Sequence, residues 1–259
     1  MLFRSEAKAA HAECQLIDLL GGRDAVDELD VRLLRLDTWD APANERATAH
    51  LRVTAKDQDR HRVGRVFSNA VMEIALAGYA GFHTTSPPGP ESAYGIYRPA
   101  RVPRSAVAQT VVVPGETPVV VADPPTADTD TDLDVDVAPH PDPDDGPTRR
   151  SPLGAVLGAR SGDKGGDANI GVWARDDAAY AWARRHLTVP RLRELLGPEA
   201  VDLDIERFEL PNLRALNVVV HGLLGEGVAS STRPDPQAKG LGEFLRSRVT
   251  DIPVALLDG

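Results

Sequence analysis

Between Asp123 and Pro147 the chain carries nine aspartates, repeated prolines, and neither lysine nor arginine. Such a run cannot bury enough apolar surface to offset the entropy of ordering it. Aspartate self-repulsion and proline stiffness keep it extended. With this stretch near its middle, a chain of 259 residues is expected to fold as two pieces, 1–121 and 151–259, joined by a disordered acidic linker over 122–150. The D-x-D-x-D spacing from Asp128 to Asp136 resembles calcium ligation. A calcium loop of the helix–loop–helix type also needs a glycine at its sixth position and a distal glutamate, and both are missing here. The stretch reads as a solvated tether.

This tether changes what the charge means. The formal net charge is −10, and removing the nine aspartates leaves the rest of the chain near −1. The acidity therefore says little about partners, and no basic face argues for nucleic acid. No apolar run approaches the roughly 20 residues that span a bilayer, and the N-terminus shows no secretory signal. Neither a membrane nor a nucleic acid is expected as a partner. Cys14 is the sole cysteine, which excludes an intrachain disulfide and a thiolate metal cluster and fits a reducing cytoplasm. No cofactor or metal motif stands out.

The densest chemistry lies in Arg160–Gly171, R-S-G-D-K-G-G-D-A-N-I-G. Ser161, Asp163, Lys164, Asp167 and Asn169 put a hydroxyl, two carboxylates, an ammonium and an amide among Gly162, Gly165 and Gly166. A loop of this kind can hold an anion on backbone N–H groups or position a carboxylate for proton transfer. The alternative is a tight connection whose charges pair with one another and with water. Lys164 is followed by glycine, so no phosphate-binding P-loop is present. A dinucleotide fingerprint would have to open a helix, as would the S-x-x-K of Ser161 and Lys164.

Around it, 153–159 and 168–173 read as strands of a hairpin with a long tip, and 176–186 as a helix with acids first and bases last. Pro190 opens a helical turn to Leu196, stopped by Gly197. Strands follow at 203–210 and 215–220, then a helix from Asp235 or Pro236 to about Arg248. The order ββαββα predicts a four-stranded sheet with helices on one face, an α+β fold.

Before the tether, 5–20 reads as a helix with Ser5 as N-cap and Gly21-Gly22 as its stop. Residues 31–36 read as a strand, 51–53 as the start of another, 63–79 as a largely buried helix, and 106–113 as a final strand. The proline-rich loop Phe82–Arg104 carries His83, Tyr94, Arg98 and Arg101. Loops of such length are often functional. His83 is its best acid–base candidate, with hydroxyls and Tyr94 as the only visible partners, although a loop histidine more usually caps backbone. Arg98 and Arg101 could grip a carboxylate or phosphate, with surface solvation as the default.

The run A-R-S-G-D-K-G-G-D-A-N-I-G and the later R-F-E-L-P-N-L-R-A-L-N-V-V-V-H-G-L-L-G-E-G-V-A-S-S, Arg207–Ser231, resemble the small C-terminal domain of the acyclic terpene utilisation (AtuA-like) family. Residues 5–114 resemble the closing part of that family's large N-terminal domain. The resemblance implies a ferredoxin-like sandwich after the tether and a partial α/β segment before it. It also implies that strands pairing with 31–36 and 106–113 are missing, so the chain reads as a C-terminal piece of the family's architecture. Its exposed strand edges would then seek another chain.

By function, the resemblance implies bacterial breakdown of acyclic terpenes such as citronellol and geraniol, beside acyl-CoA and carboxylation steps. Stacked hairpins of that fold would gather the loop, Asn212, Arg214 and Asn217 into one cleft. Lys164 and Arg214 would favour a carboxylate or coenzyme A phosphate, Asp163 or Asp167 would act as base, and the glycine N–H groups would face an enolate or oxyanion. The other reading is a non-catalytic module docking a large AtuA-like subunit, a carboxylase or a second copy.

Overall fold

The computed structural model describes residues 5–124 and 146–258. Residues 125–145, most of the stretch expected as a linker, lie outside them, and with them the Asp128–Asp136 spacing. The chain divides into two compact units, Met1–Tyr94 and Gly95–Gly259.

The first unit opens with α1, Ser5–Leu20. The hairpin β1 (Glu28–Leu34) and β2 (His50–Lys56) follows, then α2 (Arg60–Val63) and α3 (Arg65–Ala77). β1 does find a partner: it pairs antiparallel with β2 from Glu28↔Lys56 to Leu34↔His50. Helix α1 buries Ala12 and Leu16, and Leu16 packs with Ala70 and Ile74 of α3 against Val53 of β2. The single helix expected over 63–79 is interrupted at Gly64. A Cβ there would lie 2.7 Å from the Glu91 carboxylate and 3.0 Å from the Arg60 carbonyl. Glu91 is held at that point by Arg60 at 2.6 Å.

In the second unit a small exposed hairpin, β3 (Gln109–Val111) with β4 (Val119–Val121), takes the place of the strand expected over 106–113. Pro103 and the short turn Arg104–Ala106 leave three residues for pairing. Beyond the tether, β5 (Thr148–Pro152) starts within the expected linker and pairs with a late strand. Then come β6 (Leu157–Lys164), β7 (Asp167–Ala174), α4 (Asp177–His186), α5 (Val189–Leu196), β8 (Ile205–Leu210), β9 (Ala215–Val220), α6 (Leu241–Ser247), β10 (Val249–Pro253) and α7 (Val254–Leu257). Asp176 and Thr188 cap α4 and α5 through the N–H groups of Ala179 and Arg191. The last long helix starts later than Asp235, because that carboxylate takes the N–H groups of Lys239 and Gly240 into a turn.

The four central strands run in the order β6-β7-β9-β8, each antiparallel to its neighbour. Alternation places Ala168, Ile170 and Val172 of β7 beside Leu216, Val218 and Val220 of β9 on one buried face. Tyr180, Leu192, Leu195 and Leu245 of the three helices close over it. Each fully buried aliphatic side chain contributes about 1.5–3 kcal/mol, so this α+β layer holds the unit together.

The opposite face stays open, and glycine sets the spacing of its edge. A Cβ on Gly158 would lie 2.3 Å from the Trp173 ring, and one on Gly166 would lie 2.2 Å from the Gly225 carbonyl. A backbone atom cannot swing aside, so Gly166→Ala is expected to destabilise the second unit by about 1–3 kcal/mol. Gly162→Ala meets the flexible end of Lys239 and is expected to be near neutral. Urea unfolding of the two variants checks this, and equal midpoints would remove the backbone contact from the account.

Candidate functional site

The stretch Arg160–Gly171 is not a long loop. β6 and β7 pair without a break from Leu157↔Ala174 to Lys164↔Asp167. The tip is the two residues Gly165-Gly166, with Gly165 at φ +67. Two-residue hairpin turns favour glycine because such backbone angles strain a side chain. Most of the expected loop residues are therefore strand residues, sorted by alternation onto two faces.

Asp167 opens β7 on the open face, where the site assembles. One carboxylate oxygen accepts the Gly222 N–H at 2.8 Å, and the other lies 3.1 Å from His221 Nδ1. His221 Nε2 lies 3.2 Å from Glu206 Oε2 on β8. An imidazole thus stands between two carboxylates drawn from three adjacent strands or their ends. Glu206 chiefly, and then Asp167, hold its pKa above the ordinary histidine value, while partial desolvation opposes them. One step along the same face, Asn169 Nδ2 donates to Asn217 Oδ1 at 2.6 Å.

The second glycine-bearing loop closes the corner. Leu224 N–H donates to the Gly166 carbonyl at 2.9 Å, so the two loops meet through backbone. The Tyr97 ring lies against the Gly165 turn, and its Cβ lies near Gly227. Arg98 pairs with Glu226 at 2.9 Å, so its fork already holds a carboxylate.

Other expected site residues fall elsewhere. Ser161 Oγ accepts the Gly242 N–H at 2.7 Å and lies 3.3 Å from the Lys239 carbonyl, an anchor for the start of α6. Asp163 faces the Lys239 ammonium at 3.7 Å, and Lys164 donates to the Asp163 carbonyl at 3.0 Å. Gly162 sits in the strand under Lys239. Asn212 and Arg214 lie at the β8–β9 turn, where the Arg214 carbonyl takes the Ala174 N–H and its side chain bonds Asp177 at 2.5 Å. Ala174 and Asp167 end β7 on opposite sides, about 20 Å apart at 3.3 Å per residue. Lys164 and Arg214 therefore do not converge on one anion. His83, in the first unit, has Nδ1 3.1 Å from the Gly81 carbonyl and borders an apolar cavity.

Glu206 and His221 were missed as site residues. The signal was available in the alternation that places Asn217 and Val219 outward, because it continues to His221.

The fold and this corner define an α+β domain with a polar, titratable face. A family model for the AtuA ferredoxin-like domain matches residues 151–250, and one for the acyclic terpene utilisation family protein AtuA matches 3–113. The chain belongs to the acyclic terpene utilisation (AtuA) family, and this membership suggests a role in acyclic terpene utilisation. No curated protein and no solved structure matches the chain significantly. Among the described residues no helix is long and apolar enough to cross a membrane.

The array has a measurable signature. His221 is expected to titrate above the ordinary histidine value, and Glu206→Gln to lower its pKa. The stability it contributes is complete below the ordinary value and fades as pH rises through the raised one. Imidazole NMR titration reads both, and a His221 that titrates at or below the ordinary value contradicts the array.

Proposed function

We propose that this chain serves acyclic terpene breakdown by binding a carboxylate-bearing intermediate, free or as its coenzyme A thioester, at the corner where Asp167 and Asn169 of the expected Ser161–Asn169 stretch meet His221. In this reading Asp167 and His221 form the proton-transfer pair. The Asp167–His221 hydrogen bond carries the proposal, because Asp167 is itself fixed by Gly222. A fixed carboxylate sets the tautomer and aim of an imidazole and leaves the other nitrogen for a reactant. Here that nitrogen meets Glu206, whose side chain is 52% exposed. Exposed pairs of this kind contribute little, so an arriving carboxylate or thioester oxygen can replace Glu206 on the imidazole. Lys164, opposite Asp167 across the hairpin, supplies nearby positive charge, and the Asn169–Asn217 amides supply neutral donors. Asp163, Arg214 and Asn212 have no part at this corner. From the single cysteine we also infer a cytoplasmic setting.

A second reading has its own support. Trp173, Phe208 and Leu210 are exposed on the same open face, grouped through the register Trp173↔Ala215↔Leu210 and Phe208↔Asn217. An apolar group on an open sheet suits a docking role towards a large AtuA-like subunit, a carboxylase or a second copy.

Thermal shift of the full chain with coenzyme A, short and branched acyl-CoAs, free carboxylates and phosphate tests the first reading. Ligand at 100 times its Kd stabilises by about 2.7 kcal/mol, a shift of several degrees that His221→Gln is expected to abolish. A flat response across the panel overturns the binding site. The docking reading predicts that Trp173→Ser with Phe208→Ser lowers the sedimentation mass of any assembly the native chain forms, and an unchanged mass excludes it.

A further inference from the structure

The first unit contains a cavity of about 440 Å³, inside the range of roughly 300–1,000 Å³ that small-molecule sites occupy. Its floor is apolar: Leu16 and Ile74 are buried, Val53, Phe67 and Val71 pack beside them, and Leu51 also lines it. Its rim is polar and exposed, with His50 from β2 and His83, Thr84, Thr85 and Ser86 from the chain after Gly81. Among the described residues no aspartate or glutamate lines it, while Arg52 and the two histidines do.

These walls select by chemistry. Burial of a hydrocarbon chain against Leu16, Val53, Val71 and Ile74 supplies non-directional affinity. Hydroxyls and imidazoles at the rim can bond a hydroxyl or a carboxylate. With no acidic wall, a cationic head finds no counter-charge. We infer that this cavity binds an amphiphile with an aliphatic chain and a neutral or anionic head, and that His83 and Thr84 meet the head. The choice of a branched isoprenoid chain rests on the family role proposed above; the aliphatic chain and the head rest on the cavity alone. The site is separate from the Asp167–His221 pair and needs neither of those residues.

Calorimetric titration of the full chain with citronellol, citronellate, decanoate and decylamine tests it. Citronellol and citronellate are expected to bind, with decylamine at least tenfold weaker. Val71→Phe, which fills the floor, is expected to lose at least tenfold in affinity. His83→Ala, on the exposed rim where folding is not at stake, is expected to lose several-fold for citronellate. His221→Gln is expected to bind as the native chain does, so failure at the acyl-CoA site leaves this result standing. Decanoate binding as tightly as citronellate overturns the isoprenoid preference. Tight decylamine binding, or full affinity in both cavity variants, overturns the site. Because hydrophobic burial is nearly athermal at about 25 °C, the titration is run at two temperatures; absence of heat at both with all four ligands overturns the site as well, and a concentration-dependent dimer in that case assigns the groove to a second copy.

Discussion

Ala168, Ile170 and Val172 turn inward on β7, and Leu216, Val218 and Val220 do the same on β9. A strand has two sides, so this packing forces Asp167, Asn169 and Trp173 outward, together with Asn217 and, at the end of β9, His221. A slip of one residue would bury Asp167 and Asn169 and expose isoleucine and valine. Burying an unpaired carboxylate costs far more than any local contact returns. The register is therefore fixed by the core. The carboxylate–imidazole–carboxylate array is a consequence of that register, with the Gly166–Leu224 backbone bond bringing the second loop up to it.

The open face then divides along its length. Asp167, His221, Glu206, Asn169 and Asn217 occupy the end near the Gly165-Gly166 turn. Trp173, Leu210 and Phe208 lie towards the end near the β8–β9 turn. Glycines in and beside the β6–β7 hairpin serve this geometry through absent side chains. Gly158 lets the Trp173 ring lie across β6, and Gly166 lets Gly225 approach within backbone contact. A run that looks like a flexible loop by composition is a flat, tightly paired hairpin whose glycines are packing sites. Only at Gly165 is the backbone angle itself the reason.

Much of the fold was legible because its signals are local. Ser5–Leu20 ends at Gly21-Gly22, Asp176 and Thr188 cap their helices, and β9 covers the run read as a strand. The resemblance in the two motifs agrees with both family matches. The partners of β1 and β3 were not legible, because each is a hairpin with the segment that follows, and short exposed strands such as Gln109–Val111 have no alternation to read. The site was half legible. Asp167 stood out by its neighbours, but its contact with His221 spans 54 positions and appears only once β7 and β9 are paired. The same antiparallel pairing separates Lys164 from Arg214, since the two hairpin tips of such a sheet lie at opposite ends.

Charge pairing narrows what the corner can recognise. Arg98 pairs with Glu226, Arg214 with Asp177 and Arg184 with Glu209; these pairs are at least partly exposed and exchangeable, and Arg214 stands at the far end of the sheet from this corner. Beside the corner stands the Lys164 ammonium, across the hairpin from Asp167, while Lys239 faces Asp163. An ammonium is a hydrated point charge that attracts anions without imposing the paired geometry of a guanidinium. Selection among carboxylates would then fall to directional groups, namely the imidazole aimed by Asp167 and the Asn169–Asn217 amides. Recognition at the site therefore depends on the hydrogen bond by which Asp167 orients His221. The charges beside it, Asp167 and Glu206 against Lys164 and the imidazole, offer an anion little net attraction.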